Sequence, residues 1–213
     1  MNRKEIKAKA KKFAFNNKWN IWKPMLIYYG IYYGIAVILG ILGYVLNLDP
    51  EGAVMSSLDM ILGFATAPMM VGTTYYLIKL VKGKEVDATK DLFAKYSIFG
   101  LIILSSLYIG IVTSLWSLLF VIPGIVYAFK VMMVPYLLAD TGFENKSIGE
   151  LIDTSKHMMD GYKRDYFKFA LSFIGWIFLS ILTFGIALIW AVPYIEVACV
   201  MYYEELKKIK KVK

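Results

Sequence analysis

Lys130 and Glu196 are the residues best placed for chemistry, since each is an ionisable group set inside an apolar run, "VIPGIVYAFKVMMVPYLLA" and "IALIWAVPYIEVACVMYY". Charges inside a bilayer are costly and are usually paired. Counted along helices from the nearest lysine-rich flanks, Lys130 lies about 15 Å deep and Glu196 about 10–12 Å deep. These depths are compatible with a direct ion pair. Such a pair would either clamp two helices, its loss stranding a buried charge at about 3–5 kcal/mol, or line a substrate path. Pro68, Pro123, Pro135 and Pro193, with Gly124 and Gly185, are the helix breaks that such a path would use.

The remaining reactive residues point away from catalysis. His157 shares a polar helical face with Glu150, Asp153, Lys156 and Asp160, the setting of a solvated histidine. Cys199 is the only cysteine, so an intrachain disulfide is ruled out, and one His with one Cys is a poor basis for a zinc or haem site. No glycine-rich phosphate loop, His-Glu-x-x-His pair or nucleophile elbow is present. The expectation is a non-enzyme without cofactor or metal. Asp59 reads as a helix-start residue in the interface.

The elements that must position these residues are membrane helices. Of 213 residues 59% are hydrophobic, and they come in runs, which marks a multi-span chain. Met25–Leu46 and Met60–Leu80 are each long enough to cross a core of about 30 Å. Tyr96–Ala139 is too long for one span and is broken at Val121–Gly124. Phe167–Tyr203 is likewise too long, and its break falls at Thr183–Gly185. Lys and Arg cluster at 3–23, 79–95, 146–168 and 207–213, and Lys130 alone lies elsewhere. With every basic cluster on the cytoplasmic side, each apolar block crosses and returns. This gives an all-α polytopic bundle of six spans in three hairpins, with both termini cytoplasmic and the first span uncleaved. Three arms are short, Ile125–Ala139, Phe167–Leu182 and Ile186–Tyr203, at about 23–27 Å each. The bilayer thins there, or the hairpin tips stop below the outer interface.

A polar segment with helical periodicity precedes each hairpin. In the first, Ile6, Ala10, Phe13 and Ala14 share a face. In the second, Val86, Thr89, Phe93 and Tyr96 form a weaker stripe. In the third, Ile148, Leu151, Ile152, Ser155, Met158 and Met159 align, behind a Ser147/Glu150 capping box and ahead of a stop at Gly161. The whole reads as one membrane domain. It comprises a basic amphipathic segment (1–23), a first hairpin (25–80), a second in-plane helix and hairpin (84–140), a third set (146–206) and a basic tail (207–213). The recurrence about every 70 residues is consistent with a diverged repeat, and also with any positive-inside hairpin protein. Gly30 and Gly34 form a GxxxG, and Ala187 and Ala191 repeat the small-residue spacing, which predicts close helix packing, within one chain more often than between chains.

With these segments in place, the chain resembles a bacterial integral-membrane family known as domain of unknown function 975. The resemblance is carried by "LWSLLFVIPGIVYAFKVMMVPYLLAD", "SKHMMDGYKRDYFKFALSFIGWIFLSILTFGIALIWAVPY", the late "YYEEL" and the basic "RKEIKAKAKKFAFNNKWNIWKPMLI". It implies a multi-pass protein of mostly Gram-positive bacteria and carries no activity with it. A looser similarity connects the fold to the membrane portion of some glycerophosphodiester phosphodiesterases, whose catalytic domain has no counterpart here.

The net charge of +8 is confined to the segments flanking the spans, which leaves no folded basic face for nucleic acid. Trp19 and Trp22, with Lys11, Lys12, Lys163 and Arg164, mark the interface. Their expected partners are membrane lipids, preferentially anionic, each nearby cation contributing about 1 kcal/mol, besides a membrane-protein partner or a second copy. The reading is a plasma-membrane, lipid-engaging scaffold or complex subunit. The alternative is a small transporter or lipid translocator using Lys130 and Glu196 at the midplane.

Overall fold

The computed structural model describes residues 2–212, and every regular element among them is helical. Helix α1 (Arg3–Asn16) begins where the side chain of Asn2 accepts from the amide of Glu5. It buries Ile6, Ala10 and Ala14 and leaves most of its lysines outside. A single residue, Asn17, separates it from the long α2 (Lys18–Val45), and α3 (Ala53–Val81) returns. At about 42 Å each, these arms exceed the hydrocarbon thickness. Pro68 does not end α3. Tyr96 donates to the carbonyl of Ala65 at 2.8 Å, in the turn that the proline loosens.

The next segment is the short α4 (Ala88–Phe93), capped by the side chain of Asp87, followed by a 3₁₀ turn over Ala94–Ile98. It docks on α3 at Gly72, where a Cβ would lie 2.1 Å from the carbonyl oxygen of Leu92. Leu92, Asp91 and Lys95 are buried, whereas Phe93 and Tyr96 remain exposed. The stripe drawn through Val86, Thr89, Phe93 and Tyr96 is therefore the wrong face. A segment of one turn plus a 3₁₀ stretch does not keep a period of 3.6 residues, and an ion pair takes the inward position.

Helix α5 (Phe99–Leu119) and α6 (Val121–Val131) form the second hairpin, which turns at Phe120, the residue in extended conformation before α6. Pro123 and Gly124 thus fall in the first turn of a helix rather than in the turn itself. Gly124 is required for contact, since an added Cβ would stand 2.2 Å from Ser117 Oγ. The chain breaks again before α7 (Val134–Ala139), where Pro135 occupies the opening turn.

Helix α8 (Ile148–Met159) has its capping box, Ser147 with Glu150, and buries Leu151, Ile152, Ser155, Met158 and Met159. Gly161 follows with φ +78°. The third hairpin is built from α9 (Lys163–Leu171), α10 (Ile174–Leu182) and α11 (Leu188–Ile209). It turns through Phe184 and Gly185 at φ +48° and +90°. Pro193 lies inside α11 without ending it.

Five helical segments are long and apolar enough to cross a membrane: Lys18–Val45, Ala53–Val81, Ala88–Leu119, Ile122–Ala139 and Lys163–Leu182. The segment expected as a sixth span, Ile186–Tyr203, is not among them, because its helix α11 begins only at Leu188, so any stretch of it as long as a span takes in Glu196, Glu204 and Glu205.

Candidate functional site

The sequence directs attention to Lys130 and Glu196, but the structure does not pair them. Neither takes part in an ion pair among the described residues. Lys130 lies in the last turn of α6 beside the break at Met132 and Met133, while Glu196 is half-buried on α11. Similar depth along two helices does not bring two residues together, because it leaves their direction around each helix unspecified.

Charge is concentrated instead at the end of the molecule where the three hairpins close. Asp140, one residue beyond α7, is 2% exposed. Its carboxylate accepts from Lys207 of α11, from the Tyr203 hydroxyl at 2.9 Å and from Lys82 at 3.4 Å, and the amide of Thr141 donates to it at 2.9 Å. Lys82 also meets Glu204 at 2.9 Å. Burial alone would raise the Asp140 carboxyl, but the bond from Lys207 and the charges of Lys207 and Lys82 hold it below its ordinary value. Burial would lower the Lys82 ammonium, and Glu204 and Asp140 outweigh that, leaving it above its ordinary value. One carboxylate thus joins the first hairpin through Lys82, the second through itself and the third through Lys207 and Tyr203.

Two further buried charges reinforce this end. Lys79 donates to both oxygens of Asp91 at 2.7 and 2.9 Å, and Lys95, only 1% exposed, reaches Glu144 at 2.8 Å. Both ammonium groups lie over the Tyr75 ring, at 5.4 and 4.7 Å from its centroid. Sequence reasoning missed these groups because, apart from Lys79 with Asp91, the partners lie far apart in the chain. The available signal was an aspartate immediately after an apolar run, in a chain whose basic residues all gather at that end.

The other residues singled out from sequence are dispersed. Gly30 and Gly34 are exposed, and a Cβ on either meets nothing within 4 Å, so no neighbour of this chain packs into that GxxxG. Ala187 and Ala191 are buried. Gly185 and Phe184 form the tip of the third hairpin. Trp22 donates through its indole nitrogen to the carbonyl of Ile189 at 3.1 Å, and Lys18 lies 5.2 Å from the ring centroids of both Trp19 and Trp190. Lys11, Lys12 and Arg164 are exposed, and Lys163 stands 3.9 Å from Asp160.

Two openings among the described residues are surface grooves. One of about 570 Å³ is bordered by Phe64, Leu107, Gly110, Ile111, Ser114 and Leu118. Another of about 590 Å³ runs between α5 and the α6–α7 break. Neither includes Lys130 or Glu196.

Fold and site together define a helical membrane protein whose three hairpins are fastened at one end by buried ion pairs. Residues 121–210, from α6 to the end of α11, match the model of a family described as "Protein of unknown function (DUF975)". No curated protein matches the chain, and no solved structure does. The likeness to glycerophosphodiester phosphodiesterases finds no support in these matches.

Proposed function

We propose that this is a non-enzymatic protein of the bacterial plasma membrane that gathers anionic lipid headgroups around a basic collar, acting as a scaffold or as a subunit beside another membrane protein. One observation carries the reading, a division of labour among the cations. Lys79, Lys82, Lys95 and Lys207 are committed to internal carboxylates. Lys4, Lys11, Lys12, Lys23, Arg164 and Lys168 are exposed and form no ion pair among the described residues. They belong to α1, the start of α2 and α9, and Trp19 and Trp22, of the residue type that marks a headgroup layer, follow α1 directly in the chain.

The test is the lipid retained by the full chain purified from mixed phosphatidylglycerol and phosphatidylcholine bilayers. Phosphatidylglycerol is enriched at low salt. The enrichment is lost at high salt and in the Lys11→Gln, Lys12→Gln, Arg164→Gln, Lys168→Gln variant. Enrichment unchanged by both treatments refutes the reading.

A further inference from the structure

Helix α1, with its dense lysines, lies along α9 and α11. Arg3 meets Asp165 at 3.0 Å, and Lys7 donates to the Ser172 carbonyl and hydroxyl at 3.2 and 2.9 Å. A groove near the far end of α11 is bordered by Glu5, Lys9, Met201, Glu205 and Lys208. Lys18 and Trp22, just beyond α1, reach Trp190 and Ile189 at the opposite end of α11. Helix α1 and the first turns of α2 together therefore run antiparallel along nearly the whole of α11. A helix bearing Arg3, Lys4, Glu5, Lys7, Lys9, Lys11 and Lys12 cannot sit in hydrocarbon, and α11 and α9 share its level. Only α10 and the turn project beyond the Lys7 and Lys18 contacts. Nine residues of α10 rise about 13 Å, less than half of a core of about 30 Å.

The second hairpin is limited in the same way. Ser155, on α8, donates to the Lys130 carbonyl at 2.8 Å and accepts from the Met133 amide at 3.2 Å. Helix α8 carries Glu150, Asp153, Lys156 and His157 on its exposed side, which fixes Lys130 at the level of a solvated helix. Val131, Met132 and Pro135 face Ser106 and Gly110 across one groove, so α5 reaches that level near its middle. From Lys130 to Val121 and from Gly110 to Leu119, each arm extends about 14 Å. The first hairpin differs, since α2 is free of charge from Pro24 to Val45, about 33 Å. Both short tips are apolar and bare, with Leu118, Phe120 and Ile122 on one and Leu182 and Phe184 on the other, Phe184 being 98% exposed. Surface of this kind requires a non-aqueous neighbour.

We infer that only the first hairpin crosses the bilayer, while the second and third are wedges that enter the near leaflet and end about its midplane, with Phe120 and Phe184 at their tips. This rests on the functional reading only in placing the chain in a bilayer. It assigns the tips a partner, the acyl chains of one leaflet, and explains Lys130 as a collar residue rather than a midplane charge.

Depth-dependent quenching tests it without regard to the orientation of the reconstituted protein. A fluorophore is attached in the Cys199→Ser background to Phe120→Cys, Phe184→Cys or, as the crossing reference, Asn47→Cys. The full chain is placed in phosphatidylcholine vesicles with and without phosphatidylglycerol, carrying a nitroxide on the headgroup or at the acyl-chain end. Fluorophores at 120 and 184 lose most intensity to the chain-end nitroxide, and the one at 47 to the headgroup nitroxide, in both compositions. Headgroup quenching at 120 and 184 equal to that at 47 overturns the inference. So does protection of both tips from either nitroxide in a chain that migrates as a dimer. The depth pattern does not depend on anionic lipid, so loss of phosphatidylglycerol enrichment with the pattern intact sinks the headgroup reading alone.

Discussion

Asp140 is the residue on which most of the closed end depends. Asp140→Asn removes the charge that neutralises Lys82 and Lys207 and is expected to destabilise the fold by about 3–5 kcal/mol, as removal of one partner from a buried pair does. The sign of the pH dependence follows from the two shifts. Asp140 is lowered in the folded chain, so its contribution is complete above the unfolded value of about 3.9 and is lost as pH falls through the lower folded value. Lys82 is raised, so its contribution is complete below about 10.4 and disappears as pH rises through the higher folded value. Thermal unfolding in detergent should show a plateau between these limits, and Asp140→Asn should flatten its acid side. Two glycines provide the contrasting case. Gly72→Ala forces a Cβ into the Leu92 carbonyl and is expected to cost about 1–3 kcal/mol. Gly34→Ala meets open space and should be neutral, or stabilising by up to about 1 kcal/mol, in the same unfolding measurement.

At the scale of elements, the two broken helices are the informative ones. The gap between α6 and α7 leaves the Lys130 carbonyl and the Met133 amide without helical partners, and one buried hydroxyl, Ser155, serves both. Ser155→Ala leaves both groups unbonded, at about 1–3 kcal/mol for a buried group without a partner. Thr154→Ala, whose hydroxyl bonds only to Glu150 of its own helix, is the neutral control. Unfolding midpoints of the two variants compare them directly. The faces of α1 and α8 were legible in the sequence because both helices are long enough for the 3.6-residue period to show, and the Ser147/Glu150 box fixed the start of α8. The face of α4 was not legible, because six residues hold fewer than two turns. The turn at Thr183–Gly185 was visible from its glycine, which the structure holds at positive φ, whereas Pro123 and Gly124 pointed three and four residues past the actual turn at Phe120. Proline is tolerated in the first helical turn, so it marks a helix start as readily as a break.

Over the whole molecule, hydropathy located the helices but could not order them in depth. Each hairpin was counted by the length of its apolar run, which gives Phe167–Leu182 as an arm; the helical stretch extends back to Lys163, and Asp165 and Ser172 within it lie beside α1. Depth follows from contacts between distant segments, which no window along the chain contains. The same contacts have a consequence for biosynthesis. Helix α1 is translated well before its seat on α11, so Ile6, Ala10 and Ala14 stay uncovered while the segments between the two helices are made. The first hairpin can insert as it emerges, but the basic helix ahead of it must wait at the membrane surface. The fold closes only when α1 meets α11.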